Sequence, residues 1–329
     1  MNSRHTGYLF CGLAMIGVGS TVVVSREIAV GLAPFSATAL RFAIAFPLFL
    51  AIMRVRGVRW PRLDLRDALL VFAQAGAGSV GYTVLLISGM KLASAADAGV
   101  IAGTLPAVSA LVAVFALGER MSAALAGAVA LATAGVLVCT VPLPALSAAG
   151  TSWITVGNER APEALAGNAL VFAAVVCEAL FILINRKLRA TVTPLQLSAL
   201  MSGIGFCVAI VPALFEAPWR GVFDAPAVMG VVYYALVPTV AGFMLWYAGS
   251  ERVTGGEASV TTALVPVSSL VFAALLLHET IRPAQLAGMA CVLGAILLAT
   301  VGRARQRSTA QGTTSGGTPL HAAPREARD

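Results

Sequence analysis

The chain has 329 residues, of which 58% are hydrophobic and 11% charged, and its formal net charge is +7. Soluble domains carry about 25% charged residues. A soluble enzyme, a secreted disulfide scaffold and a disordered chain are therefore excluded, which leaves an all-α integral membrane protein. The basic excess does not indicate nucleic acid, because the Lys and Arg residues sit in short loops and in the C-terminal tail, where they set topology.

A bilayer-spanning helix takes about 20 mostly apolar residues. Ten such stretches follow one another near 6–25, 34–53, 68–89, 95–117, 122–141, 167–185, 194–215, 226–248, 257–277 and 283–302. The first follows Arg4 and His5 but lacks a small-residue cleavage motif, so it reads as a span and not as a signal peptide. Segment 142–166, with Pro142, Pro144 and Pro162, is the one long connection. Beyond Gly302, Arg303, Arg305 and Arg307 lead into a Ser/Thr/Gly/Pro-rich stretch, and 303–329 is expected to be a disordered cytoplasmic tail. The five cysteines lie in or beside apolar runs without ligand spacing, and the three histidines are scattered, so neither a disulfide nor a metal site is expected.

An internal repeat organises the chain. A shift of 160 residues places Gly7 on Gly167, Arg26 on Arg186, Pro34 on Pro194, Gly89 on Gly249, Val100 on Val260, Pro106 on Pro266 and Glu119 on Glu279. Acidic Asp97 falls on acidic Glu257. Each repeat (1–141 and 167–302) holds five spans. An odd number makes the second run upside down relative to the first, so the expected fold is ten transmembrane helices in two inverted five-helix repeats. With both termini cytoplasmic, sixteen of the 22 Lys and Arg residues lie inside and five outside, and Arg41 lies within a span. That split follows the positive-inside rule and puts segment 142–166 outside a plasma membrane of the bacterial inner type.

Leu105-Pro106-Ala107-Val108, followed by Leu117-Gly118-Glu119-Arg120, resembles the fourth and fifth helices of EamA-type transporters of the drug/metabolite transporter superfamily. Its counterpart is Leu264-Val265-Pro266-Val267, then Leu277-His278-Glu279, Gln285 and Gly288. Leu245-Trp246-Tyr247 and the run Pro34…Leu40-Arg41-Phe42 fit the same family, and the likeness covers about 6–302 in two copies. It departs at Gly17-Val18-Gly19-Ser20, which lacks the family's usual Trp-Gly pair. The resemblance implies export or exchange of small metabolites, often amino acids. Efflux of drugs or apolar cations is the alternative within transport. Outside transport, a membrane enzyme or a non-transporting scaffold remains, although the spans carry isolated ionisable residues and not the clustered ones that an enzyme needs.

The candidate site residues each admit two readings. Arg41, charged and inside a span, is an anchor for a substrate carboxylate or a structural partner of a buried carboxylate or carbonyl. Glu178, amid Val175-Val176-Cys177 and Ala179-Leu180-Phe181, is a proton carrier or a static partner. Pro106 and Pro266 kink their spans, either lining the transport path or only shaping packing. Tyr82, Gln74, Trp246 and Tyr247 are cavity-lining or interfacial. Glu119 and Glu279 read as loop carboxylates bonding the N–H groups at the start of the next helix, and Asp97 and Glu257 as capping-box acids behind Ser94 and Thr254. No phosphate-binding loop is present, so neither ATP nor another cofactor is expected. The partners so implied are a small-molecule substrate, membrane lipid and, through Glu178, protons; monomer and homodimer both stay open.

Overall fold

The computed structural model describes residues 3–118, 121–140, 161–220 and 224–314, and among these the chain is helical, with no strand. In order come α1 (Ser3–Gly31), α2 (Pro34–Val55), α3 (Leu65–Met90), α4 (Ala95–Ala102 and Leu105–Leu117), α5 (Ala123–Thr140), α6 (Ala161–Lys187), α7 (Pro194–Phe215), α8 (Ala225–Ser250), α9 (Gly255–Thr261 and Leu264–Leu276) and α10 (Pro283–Thr314). The starts follow local chemistry. Asp64 and Asp224, 160 positions apart, accept from the N–H groups of Asp67 and Ala227 and so cap α3 and α8. Thr193 and Gln196 form a capping box before Pro194 at the first turn of α7.

Among the described residues, eight helices are long and apolar enough to cross a bilayer, or nine if the two pieces of α4, which meet at 45°, form one span. The sequence reading expects ten. The shortfall lies in α9, whose longer piece has 13 residues, about 20 Å at 1.5 Å per residue against a hydrocarbon core of about 30 Å. Three boundaries also differ: α1 runs on to Gly31, through Ser25-Arg26-Glu27, beyond the expected end near residue 25. Helix α6 begins at Ala161, within the expected connection, and α10 continues to Thr314, into the stretch expected to be disordered. Ala304, Gln306, Ala310 and Gln311 are good helix formers, and no proline interrupts them before Pro319. Residues 141–160 and 315–329, together with Glu119 and Arg120, lie outside the described residues.

The packing interleaves the repeats. Helix α2 lies along α7 and α5 along α10, while α1 packs on α8 and α9 just as α6 packs on α3 and α4. Exchanging residues n and n+160 maps this set of pairs onto itself, with α2–α7 and α5–α10 each unchanged and the α1 contacts turned into those of α6. Glycines allow the crossings. A methyl group on Gly89 would sit 2.9 Å from the Gly167 carbonyl oxygen, and one on Gly249 would sit 2.9 Å from that of Gly7. The same backbone approach, from small residues on both sides, joins Gly135 to Gly288. The buried core gathers around Val22, Ile28, Leu86, Ile87, Val100, Ile101 and Val171, whereas Phe115, Phe215, Met229 and Leu275 stand exposed on the outer face, as lipid-facing side chains do.

Both α3 and α8 widen into a π turn, at Ala75–Gly81 and Ala235–Ala241. The two turns are again 160 positions apart. A π turn is costly and recurs at functional sites, which directs attention to what these two helices hold between them.

Candidate functional site

Arg41 lies seven residues past Pro34, about 10 Å along α2. Its guanidinium bridges the two π-turn helices. Nε donates to Thr239 Oγ1 at 3.0 Å, and Nη1 donates to Thr83 Oγ1 at 2.6 Å. The Tyr234 ring centroid is 4.3 Å from the guanidinium carbon and that of Phe42 4.9 Å, both in cation–π range. Thr83, Thr239 and Tyr234 are each buried. Among the described residues, Arg41 has no carboxylate partner, and three of its five N–H donors have no protein acceptor. Ile28, Ala37, Ile87 and Val231 close in beside the half-buried arginine and leave no room for a water-sized molecule between them, far short of the about 300–1,000 Å³ of a small-molecule pocket.

Tyr82 and Tyr234 lie within electrostatic reach of both Arg41 and the Glu178 carboxyl, and both phenols face the Thr21 hydroxyl. Glu178, on α6, is half-buried and has neither a hydrogen-bond nor an ion-pair partner among the described residues. Arg41 and Glu178 therefore sit near the same two phenols without forming an ion pair. Nearby, Ser20 of α1 and Tyr233 of α8 share a 3.0 Å hydrogen bond between their hydroxyls.

The other expected residues lie elsewhere. Tyr247 stacks on Phe243 at 6.0 Å, and Phe243 meets Phe49 edge-on at 6.4 Å, within the packing of α2, α7 and α8. Trp246 is half-buried beside it. Gln74 is fully buried; its amide nitrogen donates to the Phe181 carbonyl and its amide oxygen has no partner among the described residues. Pro106 and Pro266 lie in the first turn of the second pieces of α4 and α9. Pro266 wedges against Gly103, where an added methyl group would meet its Cβ at 2.8 Å, and neither proline lines the enclosure around Arg41.

The carboxylates at the helix ends prove more connected than their spacing indicates. Glu257 and Thr254 make the reciprocal capping box, and Glu257 also pairs with Arg4. At the other repeat's matching position, Ser94 caps α4, but Asp97 does not turn back to it. Its carboxylate accepts from Arg282 Nη2 at 3.0 and 3.1 Å and from Gln285 Nε2 at 2.7 Å, because the first turn of α10 and the residue just before it meet the start of α4. Glu279 does bond backbone N–H groups, but not those of the next helix: it accepts from Ala95 and Ala96 at the start of α4, in the other repeat. Glu119 lies outside the described residues.

Sequence reasoning missed Tyr234, Thr83, Thr239 and both π turns. The one available signal was Pro238-Thr239 in the middle of a span, a helix-breaking residue beside a hydroxyl able to satisfy the freed carbonyl.

Comparison with known proteins gives this arrangement its context. The chain is 30% identical over 297 residues to the uncharacterized transporter YetK of Bacillus subtilis, covering 89% of this chain and 86% of that one. It is 29% identical to a protein named as a probable terminal-alkyne amino-acid exporter of Streptantibioticus cattleyicolor, over 77% and 80% of the two chains. A solved structure at 22% identity superposes with a TM-score of 0.60 over 92% of this chain and 99% of its own, which shows a shared fold. The model of the EamA-like transporter family matches twice, at residues 5–141 and 165–301. With two interleaved helical repeats, both of them matched, the chain belongs to the EamA-like transporter family, a multi-pass membrane transporter and not an enzyme.

Proposed function

We propose that the protein is a secondary active transporter that exports or exchanges a small amino-acid-like metabolite across the plasma membrane by alternating access, with both termini cytoplasmic and two inverted five-helix repeats forming ten spans. One observation carries this reading: a guanidinium inside the helix bundle, at the junction of the repeats, with three unused N–H donors and no carboxylate beside it among the described residues. A charge in a span is costly unless a counter-charge or water meets it. A substrate carboxylate supplies that counter-charge and suits bidentate binding. An apolar cation would meet an uncompensated positive charge, which weighs against drug efflux. The enclosure around Arg41 fits an occluded or closed state, and the paired π turns give α3 and α8 matching places to flex. Glu178, without a partner among the described residues and within reach of the same phenols, is the candidate coupling group for protons.

The test is metabolite profiling of medium from cells overexpressing the protein, its Arg41→Gln variant, or an empty vector. The reading expects one or a few carboxylate-bearing metabolites to accumulate outside with the native protein alone. Equal release by native protein and Arg41→Gln, at matched membrane levels, overturns it.

A further inference from the structure

The two hydroxyls that hold Arg41 have their own polarity fixed. Thr83 Oγ1 donates to the Ser79 carbonyl at 2.8 Å, and Thr239 Oγ1 donates to the Tyr234 carbonyl at 2.8 Å. The second bond has a local reason: Pro238 has no N–H to return to the residue four before it, which is Tyr234, and the π turn sets Thr239, five residues on, against that carbonyl, where its hydroxyl donates. A hydroxyl has one proton to give. With that proton committed to the backbone, each threonine presents only lone pairs, a match for a guanidinium N–H and a mismatch for a carboxylate.

We propose that Thr83 and Thr239 are positioning residues that decide which substrates Arg41 accepts. One from each repeat, they pin Nη1 and Nε, leave the Nη2 side open for a carboxylate, and exclude that carboxylate from their own side by offering acceptors alone. This rests on the reading of Arg41 as the substrate anchor. Thr83 is 1% exposed and Thr239 3%, so water cannot stand in for a lost hydroxyl. Without both threonines the guanidinium keeps its charge and its aromatic cover from Tyr234 and Phe42, but loses its fixed direction.

The experiment compares the full-length protein with Thr83→Val, Thr239→Val, Thr83→Ser, Thr239→Ser and Arg41→Gln in detergent. The twenty proteinogenic amino acids, each alongside its primary amide, serve as probes, and dissociation constants come from the ligand-dependent rise in melting temperature. Valine keeps threonine's shape without the acceptor, while serine keeps the acceptor. The inference expects each valine variant to weaken binding of the acid at least about tenfold, the loss of one hydrogen bond to a charged group. Amide binding stays unchanged, and serine restores acid binding. Valine variants that bind the acid as tightly as the native protein, while Arg41→Gln does not, overturn the positioning role and leave the anchor standing. Acid preference retained in Arg41→Gln, or no acid favoured over its amide by the native protein, removes the anchor and this inference with it. A variant that weakens acid and amide alike marks the threonines as packing residues only.

Discussion

Replacing Glu279 by alanine tests whether the carboxylates at the helix ends hold the repeats together. The Glu279 carboxylate accepts two backbone N–H bonds, at 3.0 and 3.1 Å, from Ala95 and Ala96, both fully buried. These are first-turn N–H groups with no partner inside their own helix, at its positive end. Each bond to a charged group contributes about 1.5–3 kcal/mol net, and burial hinders water from replacing it. Allowing for overlap between two bonds to one carboxylate, Glu279→Ala is expected to destabilise the protein by about 2–4 kcal/mol. Glu279→Gln keeps one acceptor and is expected to lose about half of that. Reversible unfolding in mixed micelles reads both. A loss in Glu279→Ala below about 0.5 kcal/mol, within the ordinary range for surface substitutions, would refute the assignment of this carboxylate as a cap reaching across the repeats.

Gly89→Ala and Gly249→Ala each press a methyl group to within 2.9 Å of a carbonyl oxygen in the other repeat; overpacking of this kind costs about 1–3 kcal/mol, and the two melting shifts should agree because the crossings are equivalent. Pro238→Ala restores an N–H donor to the Tyr234 carbonyl and competes with the Thr239 hydroxyl, so transport should fall while melting temperature holds or rises. Because Arg41 and Glu178 form no ion pair, a double Arg41→Gln, Glu178→Gln variant should show the sum of the single stability losses, and recovery in the double would contradict the structure. If Glu178 carries protons, Glu178→Gln abolishes the dependence of uptake into proteoliposomes on an imposed pH gradient; an unchanged response assigns coupling elsewhere.

The large-scale plan was legible because it is written in composition and periodicity. Apolar stretches of about 20 residues marked the spans, and the 160-residue shift reached even to the π turns. The broken α9 escaped because hydropathy averages over a break that leaves 13 helical residues. In the site, Arg41 stood out since a charge in a span needs a reason, but Thr83, Thr239 and Tyr234 did not, since threonine and tyrosine sit in apolar helices for many reasons. Their role comes from the meeting of α2, α3 and α8, which no local spacing encodes. Asp97 shows the same limit: Ser94-x-x-Asp97 and Thr254-x-x-Glu257 are one motif in sequence, yet Arg282 and Gln285 arrive only at the first.

The central claim is that Arg41 receives a carboxylate, and the most direct measurement is the ratio of dissociation constants for the exported metabolite and its primary amide, in native protein and in Arg41→Gln. The account predicts that the native protein prefers the acid by about tenfold or more, as a charge-assisted pair implies, and that Arg41→Gln binds acid and amide alike. An undiminished preference for the acid in Arg41→Gln would contradict it.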